Sequence, residues 1–109
     1  MIYLEPWEAI EENAESLTRE LVRETMPGHV LHAIKTRALA RRIDGDDVLF
    51  AVLDASNRVA VVHLTWKHET TPDWPAVEIF ENLSAWKQTC MVPEHEEWQT
   101  ITNTIQPKV

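Results

Sequence analysis

The sequence predicts a single α+β domain over residues 1–109: an N-terminal amphipathic helix, a three- to four-stranded antiparallel meander, and a C-terminal helix or helices. Three observations predict it. Apolar residues recur at helical spacing up to residue 21; dense β-branched runs divided by turn sequences follow from residue 30 to 66; helical spacing returns after Asn82. With 44% hydrophobic residues and only two glycines, the chain is long enough for one real core and lacks a disordered composition.

Trp7, Ile10, Ala14, Leu17 and Leu21 form one helical stripe, with Glu8, Glu11, Glu12 and Glu15 largely off it. Pro6 suits a first helical turn, and the early glutamates suit the positive end of the helix dipole. Met26-Pro27-Gly28 ends the helix. Glu20 and Glu24 sit near that end, where acids are unfavourable, and Arg19 and Arg23 offset them at helical spacings.

Strands are expected at Val30–Ile43, Val48–Leu53 and Arg58–Trp66, separated by the turn sequences Asp44-Gly45-Asp46 and Asp54-Ala55-Ser56-Asn57. In the first, Val30, Ile34, Ala38 and Ala40 share one parity, and Lys35, Arg37 and Arg41 share the other with Leu39. The next two strands are apolar on both parities. They need cover on both faces, from helices or from a second subunit, so a homodimer is one expected solution. Lys67 to Pro75 reads as a polar loop with two prolines, and Val77–Phe80 as a short fourth strand. Asn82 or Ser84 can cap a helix through Trp86 and Cys90 that Pro93 breaks or restarts, followed by Trp98, Ile101 and Ile105 on a weaker helical segment.

Composition narrows the function classes. No stretch approaches the roughly 20 apolar residues of a membrane span, and no basic start leads into an apolar run, so a cytoplasmic location without membrane insertion is expected. A net charge of -8 disfavours nucleic acid, whose binding depends on releasing counterions with Lys and Arg. Cys90 is the single cysteine, which excludes an intrachain disulfide and a cysteine-built zinc cage. The charge is uneven: residues 29–43 carry four bases and no acid, between acidic blocks at 1–26 and 69–97. That strip either pairs with the chain's own acids, or is solvated, or meets an anionic partner.

Few groups carry chemistry. His29 and His32 have an i, i+3 spacing, but on a strand they face opposite ways, and Glu94-His95-Glu96-Glu97 fans out on a helix, so no metal is expected. With no glycine-rich phosphate loop and no G-x-S-x-G elbow, no nucleotide or other cofactor is expected either. His63 lies inside an apolar strand. It is read as a hydrogen-bonded core or interface histidine or, on the catalytic reading, as a general base oriented by Glu69 or Asp73 in the following loop, with Arg37 and Arg41 holding an anionic substrate. Trp66 and Trp74 bracket that loop, where large amphipathic rings act as binding hot spots or as anchors onto a core.

The run TRALARRIDGDDVLFAVLD, then RVAVVHLTW, then WP and a late EHEEW resembles a family of small uncharacterised bacterial proteins of about this length, over roughly residues 27–98. The resemblance implies a bacterial, single-domain protein and brings no activity, cofactor or catalytic residue. The order α-β-β-β-α is also that of the double-stranded RNA-binding domain, but that family's basic helix start is missing. Two functions are therefore expected. One is a non-enzymatic interaction domain, with Trp66, Trp74 and its acidic surface turned to a protein partner in the manner of an acidic inhibitor or immunity protein. The other is a small hydrolase or ligand-binding enzyme with His63 as general base in a cleft near the 67–75 loop.

Overall fold

Five short segments can pair their backbones without long crossovers, and in the computed structural model, which describes residues 2–105, they do so in chain order. Strands β1 (Trp7–Ala9), β2 (Thr36–Arg42), β3 (Asp47–Val52), β4 (Val59–His63) and β5 (Ala76–Phe80) form one sheet of order β1-β2-β3-β4-β5, every neighbouring pair antiparallel. Helix α1 (Ala14–Glu24) joins β1 to β2. After β5 come α2 (Leu83–Trp86), a π turn (Lys87–Met91) and α3 (Val92–Ile105). The fold is α+β as the sequence predicts, with one strand more than expected and with a strand, not the helix, first.

That extra strand corrects the N-terminal reading. Trp7 and Ile10 fall on the helical stripe by coincidence of spacing, for Trp7 pairs with Arg42 on β2 and buries its indole in the sheet's second face. The helix begins after Asn13, at Ala14, and only Leu17 and Leu21 of the stripe are buried in it. Burying a tryptophan removes far more apolar surface than one turn of helix gains, so tertiary packing overrides the periodicity. The first meander strand is also shorter than read. His29 to Ala33 form bends and turns, and β2 starts at Thr36.

The strands apolar on both parities are covered by the chain itself. On one face Leu17 and Leu21 of α1, with Leu31, pack on Ala38, Val48, Phe50, Val52, Ala60, Val62 and Leu64. On the other, Trp7, Trp86 and Met91 pack on Ala40, Leu49 and Val59. Trp7 and Trp86 meet edge to face, ring centroids 5.1 Å apart and planes at 90°, a preferred aromatic geometry. The expected second subunit is therefore not needed to cover either face.

Two irregularities decide where side chains point. The β2–β3 register shifts between Ala38 and Ala40, so that Leu39 and Ala40 both face the Trp86 core while Ala38 faces α1. This is a β-bulge, and it reverses the alternation on which the parity reading of β2 rested. Near the C-terminus, Pro93 neither breaks nor restarts the helical run. The π turn before it widens the helix, with the Val92 amide donating to the Lys87 carbonyl five residues back, and Pro93 follows directly behind it in an unbroken run. Asn82 is the cap, accepting from the Ala85 amide at 2.8 Å. In α3 Trp98 is half-buried and Ile101 exposed, and the side chain of Ile105 lies outside the described residues.

Candidate functional site

At one end of the sheet β4 stops at His63, and the chain turns sharply at Trp66, whose φ of 61° is in the left-handed region that β-substituted residues avoid. Glu24, from the last turn of α1, holds that turn. Its carboxylate is fully buried and accepts from the Thr65 amide at 2.7 Å, the Thr65 hydroxyl at 2.9 Å and the Trp66 amide at 2.9 Å. Three donors from consecutive residues fix the backbone of both. The Thr65 hydroxyl also lies 3.1 Å from Glu69 Oε1, so its single proton serves one carboxylate or the other.

Burial and the neighbouring Glu20 carboxyl push the Glu24 pKa above the ordinary carboxylate value, against the opposing pull of the Thr65 and Trp66 donors. At Glu20, burial is outweighed by hydrogen bonds accepted from Arg23 and from the Glu24 carboxyl, and its pKa is lowered. Arg23 makes its ion pair with Glu20, at 2.7 Å, and reaches Glu24 only through space, so the direct contact goes to one of the two glutamates.

Beyond the turn is an open cleft of about 380 Å³ lined by Asp46, His63, Thr65, Trp66, Lys67, Glu69 and Trp74 among others. Trp66 and Trp74 stand 48% and 49% exposed at its edge. The Trp66 indole N–H donates to Asp46 Oδ1 at 3.0 Å, which orients the ring without burying it. The loop carrying Trp74 is held from behind. The buried His29 accepts the Leu31 amide at Nδ1 and donates from Nε2 to the Pro75 carbonyl, each at 2.9 Å. Gly28, at φ 99°, lets the chain pass Pro72 where a Cβ would come within 3.1 Å of the proline ring.

His63, Glu69, Trp66 and Trp74 thus share one cleft, and the other candidates do not. Asp73 is exposed and does not line it. Arg37 and Arg41 lie in other grooves, Arg41 beside Glu8 and Leu17, Arg37 beside Tyr3 and Leu39 and at the edge of α1, because the bulge at Leu39 turns the two to opposite faces. They cannot clamp one anion between them. His63 is the exposed last residue of β4 and no core histidine; the buried histidine is His29. The carboxylate that orients His63 is Asp47, its cross-strand partner, with Oδ1 2.8 Å from Nδ1, in place of Glu69 or Asp73.

Other reactive groups are quiet. Cys90 bonds Glu94, and burial followed by that carboxylate pushes the thiol up to about 12, leaving no thiolate at neutral pH. His32 donates from Nδ1 to the Thr25 carbonyl, and among the described residues no group of three His, Cys, Asp or Glu side chains is arranged to hold a metal ion. No described helix is long and apolar enough to cross a membrane.

No family model, curated protein or solved structure matches the chain. Function has to be read from the cleft itself. Sequence reasoning missed Glu24, Asp46 and Asp47, the three carboxylates that set its geometry. An acid in the last turn of a helix was the trace that Glu24 left; Asp46 was hidden in a turn sequence, where Asp is common for local reasons, and Asp47 at the first position of the strand that follows it.

Proposed function

We propose that this chain is a protein-interaction domain that engages a basic partner through the Trp66–Trp74 cleft, as an acidic inhibitor or immunity-like protein does. The observation that carries the reading is the pair of half-exposed tryptophans, one held by Asp46 and the Glu24 turn, the other by the His29–Pro75 contact. An aromatic ring already oriented, as the Trp66 indole is by Asp46, and a second carried on an anchored backbone lose less freedom on binding, which is what hot spots use. Asp46 and Glu69 against Lys67 give the lining an acidic balance, and the net charge of -8 steers basic surfaces toward it.

The test is affinity capture from source-cell lysate at low and high salt, followed by titration of the captured partner against the Trp74→Ala variant. The expected result is one partner whose association slows with salt and whose affinity falls at least about tenfold in the variant, the scale of a hot-spot residue. Capture of no protein in either salt condition sinks the reading.

A second reading rests on the His63–Asp47 pair, since a carboxylate on Nδ1 leaves Nε2 as a base facing the cleft. In that reading the chain is a small hydrolase, and water is the nucleophile, because the Thr65 hydroxyl is engaged by Glu24 and Glu69. Hydrolysis of simple ester or phosphoester probes that persists unchanged in His63→Ala would dispose of it.

A further inference from the structure

The flank of α1 leaves a groove unfilled. Thr18, Leu21 and Val22 form one wall, and Leu31, Ile34 and Leu53 the other, with about 400 Å³ at the His32 end and about 490 Å³ at the Arg19 end; the two ends share Thr18, Thr36 and Leu53. The groove runs beside the whole of α1, which at about 1.5 Å per residue makes it about 16 Å long. Val22 is 66% and Leu53 50% exposed. It shares no lining residue with the Trp66–Trp74 cleft.

Several of the groove's polar groups are already in use. The Thr18 hydroxyl donates to the Ala14 carbonyl and accepts from the Ala38 amide, the Thr25 hydroxyl donates to the Leu21 carbonyl, and the Lys35 carbonyl accepts from the Leu53 amide. Bound backbone of this kind offers little to an added β-strand, whereas apolar walls suit a helix laid between them. The rim is cationic. Arg23, Arg42 and Arg58 each have a carboxylate partner, whereas Lys35 and Arg37, like Arg41, Lys67 and Lys87, form no ion pair among the described residues. Arg19 adds a third cation, in loose contact with Glu15 at 3.9 Å. Because the walls are open, an alkyl-chain ligand would stay half wet, while a helix of about 10 Å diameter would cover Val22 and Leu53 together.

From this we propose that the α1 groove docks an amphipathic helix of a partner protein, apolar on the buried side and bearing carboxylates along the flank that meets Lys35 and Arg37. The chain then has two recognition surfaces of opposite charge, and this one stands whether or not the Trp66–Trp74 cleft binds a basic partner.

The experiment uses the full chain, isotope-labelled for NMR, and two synthetic helix-forming peptides of about four turns. Both carry leucines at helical spacing; one has glutamates along the flank, the other lysines. The glutamate peptide is expected to saturate, to shift the amides of Thr18, Val22, Lys35 and Leu53, and to leave the Trp66 and Trp74 indole signals in place. The lysine peptide should bind at least about tenfold more weakly, the order of preference should invert in the double variant Lys35→Glu/Arg37→Glu, and Val22→Asp should weaken either peptide about tenfold. These three residues are exposed, so the variants are expected to keep the wild-type spectrum elsewhere. Equal affinity for both peptides, shifts confined to the Trp66–Trp74 cleft, or a groove that takes dodecanoate and neither peptide would overturn the proposal.

Discussion

A carboxylate in the last turn of a helix faces the negative end of the helix dipole, and Glu24 is in that position because its oxygens satisfy the amides of Thr65 and Trp66. Replacing it by alanine leaves buried donors without partners, and Glu24→Ala is expected to cost about 1–3 kcal/mol in urea unfolding. The acid–base consequence has a definite sign. The Glu24 pKa is raised in the folded chain, so the native state holds this proton more tightly than the unfolded one. Between the ordinary value of 4.5 and its raised native value, stability therefore falls as pH rises. Glu24→Gln should flatten that slope, and a slope unchanged in the variant would assign it elsewhere. Glu20, Asp44 and Asp54 act in a separate window. Their carboxyls are lowered, Asp54 to about 2, so what they contribute is present above their ordinary values and lost as pH falls through the native ones.

At the scale of elements, β3 and β4 were legible because their residues satisfy both faces at once, except that the strand read as Arg58–Trp66 ends at His63, where the Glu24-held turn takes over. Helix α1 was legible only from Ala14 onward, since periodicity cannot tell a tryptophan on a helix from one on an edge strand. The bulge at Leu39 left no mark: it depends on which residue best fills the space beside Trp86, a matter of contact and not of pattern. The capping of α2 was legible, because Asn favours a non-helical position from which its oxygen reaches an amide three residues on. Asn82→Ala is expected to lower stability by about 1 kcal/mol, and to loosen the π turn behind the short helix, which hydrogen exchange at Trp86 and Lys87 would register.

For the whole molecule, the consequence is two cores on one sheet. Leu49 and Phe50 are adjacent on β3, both fully buried, and face opposite ways, one to Trp86 and the other to the α1 side. A single strand carrying both cores couples them. Leu49→Ala is expected to cost about 2–5 kcal/mol and Phe50→Ala about 3–5 kcal/mol, each as one cooperative transition in which tryptophan fluorescence and far-UV circular dichroism coincide. Two separated transitions would show that the cores melt apart.

What the sequence by itself determined is the class of the fold, the antiparallel order of its central strands and the acidic charge. Those follow from local rules: turn residues, β-branched runs, the distance along a chain. Tertiary structure alone decided that Glu24 and Asp47 complete the cleft, that Arg37 and Arg41 part company, and that His29 is the buried histidine. Each of these joins residues distant in sequence through a side-chain hydrogen bond or a shift of register. The energy of such a contact depends on where other elements pack, and no local pattern along the chain encodes it.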